Sequence, residues 1–311
     1  MLRRMLLAAS TSHRVRQIIT TAPYTRDVVA RFVAGHTADD ALRVTRRLLA
    51  DGLLVSLDYL GEDTANREQA AAVADEYIRL LARLGSAGLT GGGRAEVSVK
   101  PTAVGLDLHE HGEKTAAENI ARICAAASDA GTTVTLDMED HTAVGPTLRI
   151  LAELRPDFPG LGCVIQSYLR RSADDCADLA VAGSRVRLCK GAYRAPDGVA
   201  FTQRSEVDRS YARCLRTLLV GDCYPMLATH DPRLIKIAGV RAATAGRAPG
   251  TFEYQMLYGI RPAEQLRLAG GGARMRVYVP YGDDWYGYLV RRLAERPANL
   301  AFFLRSLVST G

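Results

Sequence analysis

Tyr288, Arg291, Arg292 and Glu295 stand at i, i+3, i+4 and i+7 of one eight-residue run. At about 3.6 residues per turn, a helix gathers these four within an arc of roughly 100°. Trp285, Leu289 and Leu293 then form the neighbouring apolar stripe. Two adjacent guanidinium forks beside a phenol suit the capture of a small carboxylate, because each fork can donate two parallel hydrogen bonds to it. The same spacing also describes an amphipathic surface helix laced by Arg291–Glu295 and Tyr288–Arg292 contacts. The run alone leaves both readings open.

A second set of reactive side chains closes a series of β-rich runs. Lys100, Asp137 and Gln166 fall at or near three run ends, and Arg187 leads into Cys189–Lys190–Gly191–Ala192–Tyr193. Thr229–His230–Asp231 follows another run, and Glu253, Gln255, Leu257 and Tyr278 lie in the last two. Within residues 133–137, Thr133, Thr135 and Asp137 share one face while Val134 and Leu136 share the other. Parallel strands are usually apolar on both faces, so a polar face marks a site candidate. Charges of both signs gathered at one barrel mouth carry a desolvation cost that pairing or a ligand must offset.

The elements that position these residues alternate. Strands are predicted over 53–58, 95–100, 133–137, 163–167, 186–189, 225–229, 251–255 and 275–279. Helical periodicity occupies 67–84, 115–130, 147–154, 174–182, 207–220 and 232–243. Eight βα units imply the α/β class, as a (β/α)₈ TIM-type barrel over residues 51–311, preceded by an N-terminal helical arm over residues 1–50. No linker-like tract divides the chain. In such a barrel the run-ending residues ring one mouth.

Composition narrows the function classes. Net charge is +6, but only four of the forty basic residues are lysines and the arginines are scattered, so no nucleic-acid stripe is read. The six cysteines form no CxxC pair and sit largely in apolar runs, as expected of reduced thiols in a cytoplasmic protein. Met5–Ala9 is too short for the apolar core of a signal peptide, and an N-terminal helix is the expectation. No G-x-G-x-x-G follows a strand and no P-loop is present. His109 and His111 could share a face and, with His230 and Asp137, suggest a metal-dependent hydrolase. They lack a compact ligand motif, and the expectation is loop residues and no metal.

The motifs SVKPTAVGLDL, VTLDMED, VIQSYLRRS, RLCKGAY, LATHD, FEYQMLYGI and RVYVPYGDDWYGYLVRRLAERPAN occur in that order. From Ser56 to Ala301 the chain resembles the proline dehydrogenases, in their monofunctional bacterial form. The resemblance implies a distorted (β/α)₈ barrel with non-covalent FAD. It implies oxidation of L-proline to Δ1-pyrroline-5-carboxylate by hydride transfer to flavin N5, the first step of proline catabolism. Electrons would pass to a quinone-type acceptor, with the basic N-terminal arm compatible with peripheral contact at the inner face of the cell membrane. Arg291 and Arg292 would hold the proline carboxylate, Tyr288 would pack on the ring and Glu295 would orient the arginines. Lys100 and Asp137 would lie near substrate and flavin, where they could pair with each other, and Tyr278 and Leu257 would line the pocket. Gln166, Arg187, Cys189, Gly191, Arg204, Thr229 and His230 match FAD-contacting positions. The chain departs from the family's usual residues at Asp231 (commonly Asn), Cys189 (valine), Gly287 (Pro) and Arg194 (aromatic). A non-catalytic barrel that binds a small amino acid is a further reading, but it would not need Arg187, Gly191 or the Thr229–His230 pair.

Overall fold

The computed structural model describes residues 25–61 and 64–295, with side chains described for 29–61 and 64–290. Two helices, α1 (Thr25–Phe32) and α2 (Ala38–Ala50), precede the barrel. The strands are β1 (Leu54–Tyr59), β2 (Ala95–Val99), β3 (Val134–Leu136), β4 (Gly162–Gln166), β5 (Arg185–Cys189), β6 (Tyr224–Ala228), β7 (Glu253–Leu257) and β8 (Met275–Tyr281). Helices α3 (Arg67–Ser86), α4 (Gly112–Asp129), α5 (Val144–Leu154), α6 (Ser172–Leu179), α7 (Arg204–Val220), α8 (Pro232–Thr244) and α9 (Pro262–Gly270) link successive strands, and α10 (Trp285–Glu295) follows β8. All neighbouring strands pair in parallel, and β8 closes on β1 with Val277 opposite Val55. The expected eight-stranded barrel is therefore present.

Two-residue periodicity sorts each strand. Outward positions such as Val55, Leu57, Val97, Val99, Leu136, Ile165, Leu188, Leu227 and Val277 are buried with Tyr77, Leu80, Ile120, Leu151 and Leu215 of the helices. This shell removes the main apolar surface from water and supplies the chief folding drive. Inward positions differ from the branched aliphatic filling usual in such barrels. They carry Ser56, Asp58, Glu96, Ser98, Thr135, Arg187, Glu253, Gln255 and Arg276, all buried. Polar groups survive there because nearly every one has a partner, as detailed below.

Local signals set several boundaries. Thr37 and Asp40 make a reciprocal capping box at α2. Asp231 caps α8, with Pro232 in the first helical turn. Strand β7 starts two residues later than expected, because the Thr251 amide and hydroxyl both donate to Ala248 carbonyl oxygen and hold Thr251 in a turn. At the upper mouth, Phe32 and Val33 pack with Leu60, Ile260, Trp285, Tyr288 and Leu289. Gly259, at φ +73°, permits the Arg31 carbonyl to approach this corner, where a Cβ would overlap it. All six cysteines are free thiols.

Candidate active site

The carboxyl ends of the strands open into a cavity of about 1100 Å³. Its lining includes Asp137, Gln166, Arg187, Cys189, Gly191, Arg204, Thr229, His230, Leu257 and Tyr278. Thus every residue expected at the cofactor site, together with Asp137, Leu257 and Tyr278, borders one space. Mouth placement follows from strand direction: in a parallel barrel the last inward residue of each strand faces the same opening.

Arg187 is the centre of the bonding pattern. Its Nη1 donates to Asp137 Oδ1 at 2.7 Å and to Ser98 Oγ at 2.8 Å, while Nη2 donates to Ser56 Oγ at 3.2 Å. The second Asp137 oxygen accepts the Tyr278 hydroxyl at 2.6 Å. The Arg187 guanidinium also lies 5.4 Å from the centre of the Tyr278 ring. Burial, reinforced by the Asp137 charge, pushes the Tyr278 phenol well above its ordinary value, so it stays a neutral donor. Arg187 Nε is buried and finds no hydrogen-bond acceptor among the described residues.

Lys100 pairs with Asp58 rather than with Asp137. Its Nζ is 2.7 and 2.6 Å from the two Asp58 oxygens, and both residues are buried. Tyr77 borders this pair, donating to Ser98 carbonyl oxygen at 2.8 Å. The Lys100–Asp137 pairing that the sequence left possible is not formed, and both Asp137 oxygens are held by Arg187 and Tyr278. Asp58 ends the inward face of the adjacent strand β1, within reach of the lysine. Lys100 is not part of the cavity lining given above.

The remaining cavity residues hold backbone and rim. Gln166 Nε2 donates to Glu139 carbonyl oxygen at 2.7 Å. His230 Nε2 accepts the Leu257 amide at 2.9 Å, so that nitrogen is an acceptor, and its carbonyl accepts Arg261 Nη1. Gly191 has φ +90°, and a Cβ there would overlap the Tyr168 ring and come within 2.9 Å of Gln166 Oε1. Asp231 finds partners in Lys190 at 3.2 Å and Arg233 at 2.9 Å, both also bound to Asp208. Hydrogen bonding from Arg233, then from Lys190, holds the Asp231 carboxyl far below the usual range. The aspartate at this position is therefore charge-compensated.

Tyr288 is buried on α10. Arg291, Arg292 and Glu295 lie on the same helix by backbone, and their side chains fall outside the described residues. His109 and His111 lie in the turn before α4, and His111 directly precedes its first residue.

Glu96, Arg185 and Arg276, not anticipated in the sequence, form the lower part of the barrel together with Glu253 and Gln255. Glu96 accepts Arg185 Nη2 at 2.6 Å and the Thr133 hydroxyl at 3.0 Å. Glu253 receives Arg276 at 2.6 and 3.0 Å and Gln255 Nε2 at 2.6 Å. Burial would raise the Glu96 carboxyl, yet Arg276, Arg185 and Arg187 together hold it at about 2. The alternations Glu96–Ser98–Lys100 and Arg185–Arg187–Cys189 were the available signal.

Residues 41–305 match the family model described as proline dehydrogenase. Proline dehydrogenase 1 of Bacillus subtilis (strain 168) is 39% identical over 284 residues, covering 91% of this chain and 92% of that protein. The proline dehydrogenase of Deinococcus radiodurans is 37% identical over 308 residues, covering 98% and 97%. Among solved structures, proline utilization A from Bdellovibrio bacteriovorus inactivated by N-propargylglycine superposes with a TM-score of 0.79 at 27% identity. That match covers 87% of this chain and 33% of the longer protein. With the barrel and the polar mouth already in place, these matches leave one assignment: the chain belongs to the proline dehydrogenase family, which oxidises proline in proline catabolism.

Proposed function

We propose that the cavity binds FAD non-covalently beside L-proline, and that the chain releases Δ1-pyrroline-5-carboxylate. The observation that carries this reading is the Arg187–Asp137–Tyr278 cluster facing a cavity of about 1100 Å³ in a chain of this family. The buried, acceptor-less Arg187 Nε and the side-chain-free Gly191 fit a large planar ligand with hydrogen-bond acceptors on its edge. Bound flavin supplies the acceptor for the hydride that proline loses.

The protein's own part is orientation and charge. Arg291 and Arg292 clamp the substrate carboxylate and so fix the ring, an entropic contribution to rate. Tyr288 packs on that ring and Glu295 orients the arginine pair. Arg187, fixed by Asp137, offers positive charge where negative charge develops, with no reorganisation needed during the reaction. Asp137 holds Arg187 and Tyr278 rather than acting as base, a role supported by the engagement of both its oxygens. Gln166, Cys189, Gly191, Arg204, Thr229 and His230 hold the cofactor. Family membership supports a quinone-type acceptor and, with the arginines of the N-terminal segment, peripheral membrane contact. No described helix is long and apolar enough to cross a membrane.

A visible spectrum tests this reading. The purified protein is expected to be yellow, and anaerobic L-proline should bleach it. Protein that is colourless and takes up no added FAD would defeat the proposal.

A further inference from the structure

Within the strand ring the inward charges are paired and largely buried. Among the described residues Arg185, Arg187, Arg276 and Lys100 pair with Asp58, Glu96, Asp137 and Glu253, and Arg274, just before β8, approaches Glu253 to 4.0 Å. The column runs from a second opening of about 560 Å³ at the amino ends of the strands, lined by Arg185 and Arg276, up to Arg187 at the catalytic mouth. Glu96 is its junction. It lies 2.6 Å from Arg185, 3.6 Å from Arg187 and 3.7 Å from Arg276, with no solvent exposure. Arg187 is thereby held from above by Asp137 and from below by Glu96.

Resting on the flavin reading above, we propose that Glu96 and Arg185 are positioning residues that set the flavin's midpoint potential through Arg187. Charges in a water-poor interior act over longer distances than in solvent, since little screening intervenes. The positive field that Arg187 presents to the cavity is therefore reduced by Glu96, and Glu96 is in turn partly neutralised by Arg185. Removing Glu96's charge makes the column one unit more positive and frees Arg187 from a competing anion. Removing Arg185's charge does the reverse, leaving Glu96 free to bear on Arg187. The first change favours arrival of electrons at the cavity and the second opposes it. Neither side chain borders the catalytic cavity, so neither effect requires contact with substrate or cofactor.

The test is the midpoint potential of the bound flavin in holoenzyme carrying Glu96→Gln, Arg185→Gln or Arg185→Lys. Glu96→Gln should shift the potential upward and Arg185→Gln downward, while Arg185→Lys, which keeps the charge, should stay near wild type. A merely structural role predicts shifts that follow loss of stability and share one sign. If Glu96→Gln does not fold, the Arg185 pair decides alone, because that side chain reaches the amino-end opening and is not fully buried. An unshifted Arg185→Gln potential, or equal shifts in Arg185→Gln and Arg185→Lys, overturns the proposal. Wild-type protein without flavin would instead overturn the cofactor reading on which it rests.

Discussion

Arg187 leaves β5 and crosses the barrel to Asp137, just beyond β3, placing Nη1 2.7 Å from Oδ1. Neither strand neighbours the other in the sheet. Only β4 intervenes, but the same guanidinium also donates to Ser98 of β2 and Ser56 of β1, so it reaches across the barrel interior as a rim ion pair between adjacent strands would not.

That geometry makes Asp137 a structural and functional pivot. Asp137→Ala removes the upper carboxylate partner of a buried guanidinium and the Tyr278 acceptor, leaving Glu96 at 3.6 Å as the remaining anion, and should therefore lower stability. Asp137→Asn retains an acceptor oxygen and should cost less. Denaturant unfolding measures the stability difference, and the flavin spectrum of each variant should change, since Arg187 loses its anchor. Equal stability of Asp137→Ala and wild type would remove Asp137 from this role.

The Asp58–Lys100 pair permits a cleaner energetic experiment. Asp58→Leu should lower stability, because the buried Lys100 ammonium loses the carboxylate that it contacts at 2.6 Å. Adding Lys100→Met should recover part of that loss, since the double variant no longer buries an ammonium deprived of that carboxylate. A double-mutant cycle on unfolding free energies reads the coupling directly. Additive single effects would mean that the two groups do not support each other.

Acid should expose the lower cluster. In the folded protein the Glu96 carboxyl sits at about 2, against an ordinary 4.5, and Glu253 is also lowered. The unfolded chain thus takes up these protons first as pH falls. The Glu96 contribution is complete above about pH 4.5 and disappears as pH drops through about 2. Melting temperature should decline across that window, and the decline should be shallower in Glu96→Gln. Parallel profiles would show that Glu96 does not carry the linkage.

Strand polarity was readable in the sequence wherever an inward polar series interrupted outward valines and leucines, as in Thr133–Val134–Thr135–Leu136–Asp137. That pattern placed Asp137, Arg187 and Tyr278 at one mouth. It did not give pairing: whether Lys100 meets Asp58 or Asp137 depends on strand stagger around the closed sheet, which periodicity within one strand does not contain. Attention to strand ends also passed over Glu96, Arg185 and Arg276, which sit near strand starts. Their alternation was visible, but their pairing into one network appears only when β2, β5, β7 and β8 are brought around one axis. Strand β7 shifted because a turn at Ala248–Thr251 outweighed the β-branched residue at its start.

Gly191 offers a local test of the cofactor wall. Its φ of +90° is costly for any residue with a side chain, and a Cβ would also meet the Tyr168 ring. Gly191→Ala should cost about 1–3 kcal/mol if the strain is borne locally, and should weaken FAD binding by displacing the loop after β5. Fluorescence titration of FAD into apoprotein measures the second effect. Wild-type affinity in the variant would place the cofactor away from this loop.

The arginine pair on α10 should behave differently from every residue of the barrel interior. Arg291→Met or Arg292→Met removes a charge-assisted partner from the proline carboxylate, an interaction whose loss costs on the order of 2–5 kcal/mol when it is desolvated. Both lie one turn or so beyond Tyr288, which is buried against Leu289 and Trp285, so the helix itself should remain docked. The expected result is a large fall in kcat/KM for proline with flavin content and melting temperature near wild type. Lysine and glutamate should remain poor substrates, lacking the compact ring that Tyr288 would cover. Steady-state kinetics and flavin quantification on the same preparations separate the outcomes. If both variants retain wild-type kcat/KM, the pair belongs to an amphipathic helix surface and the carboxylate is held elsewhere in the mouth.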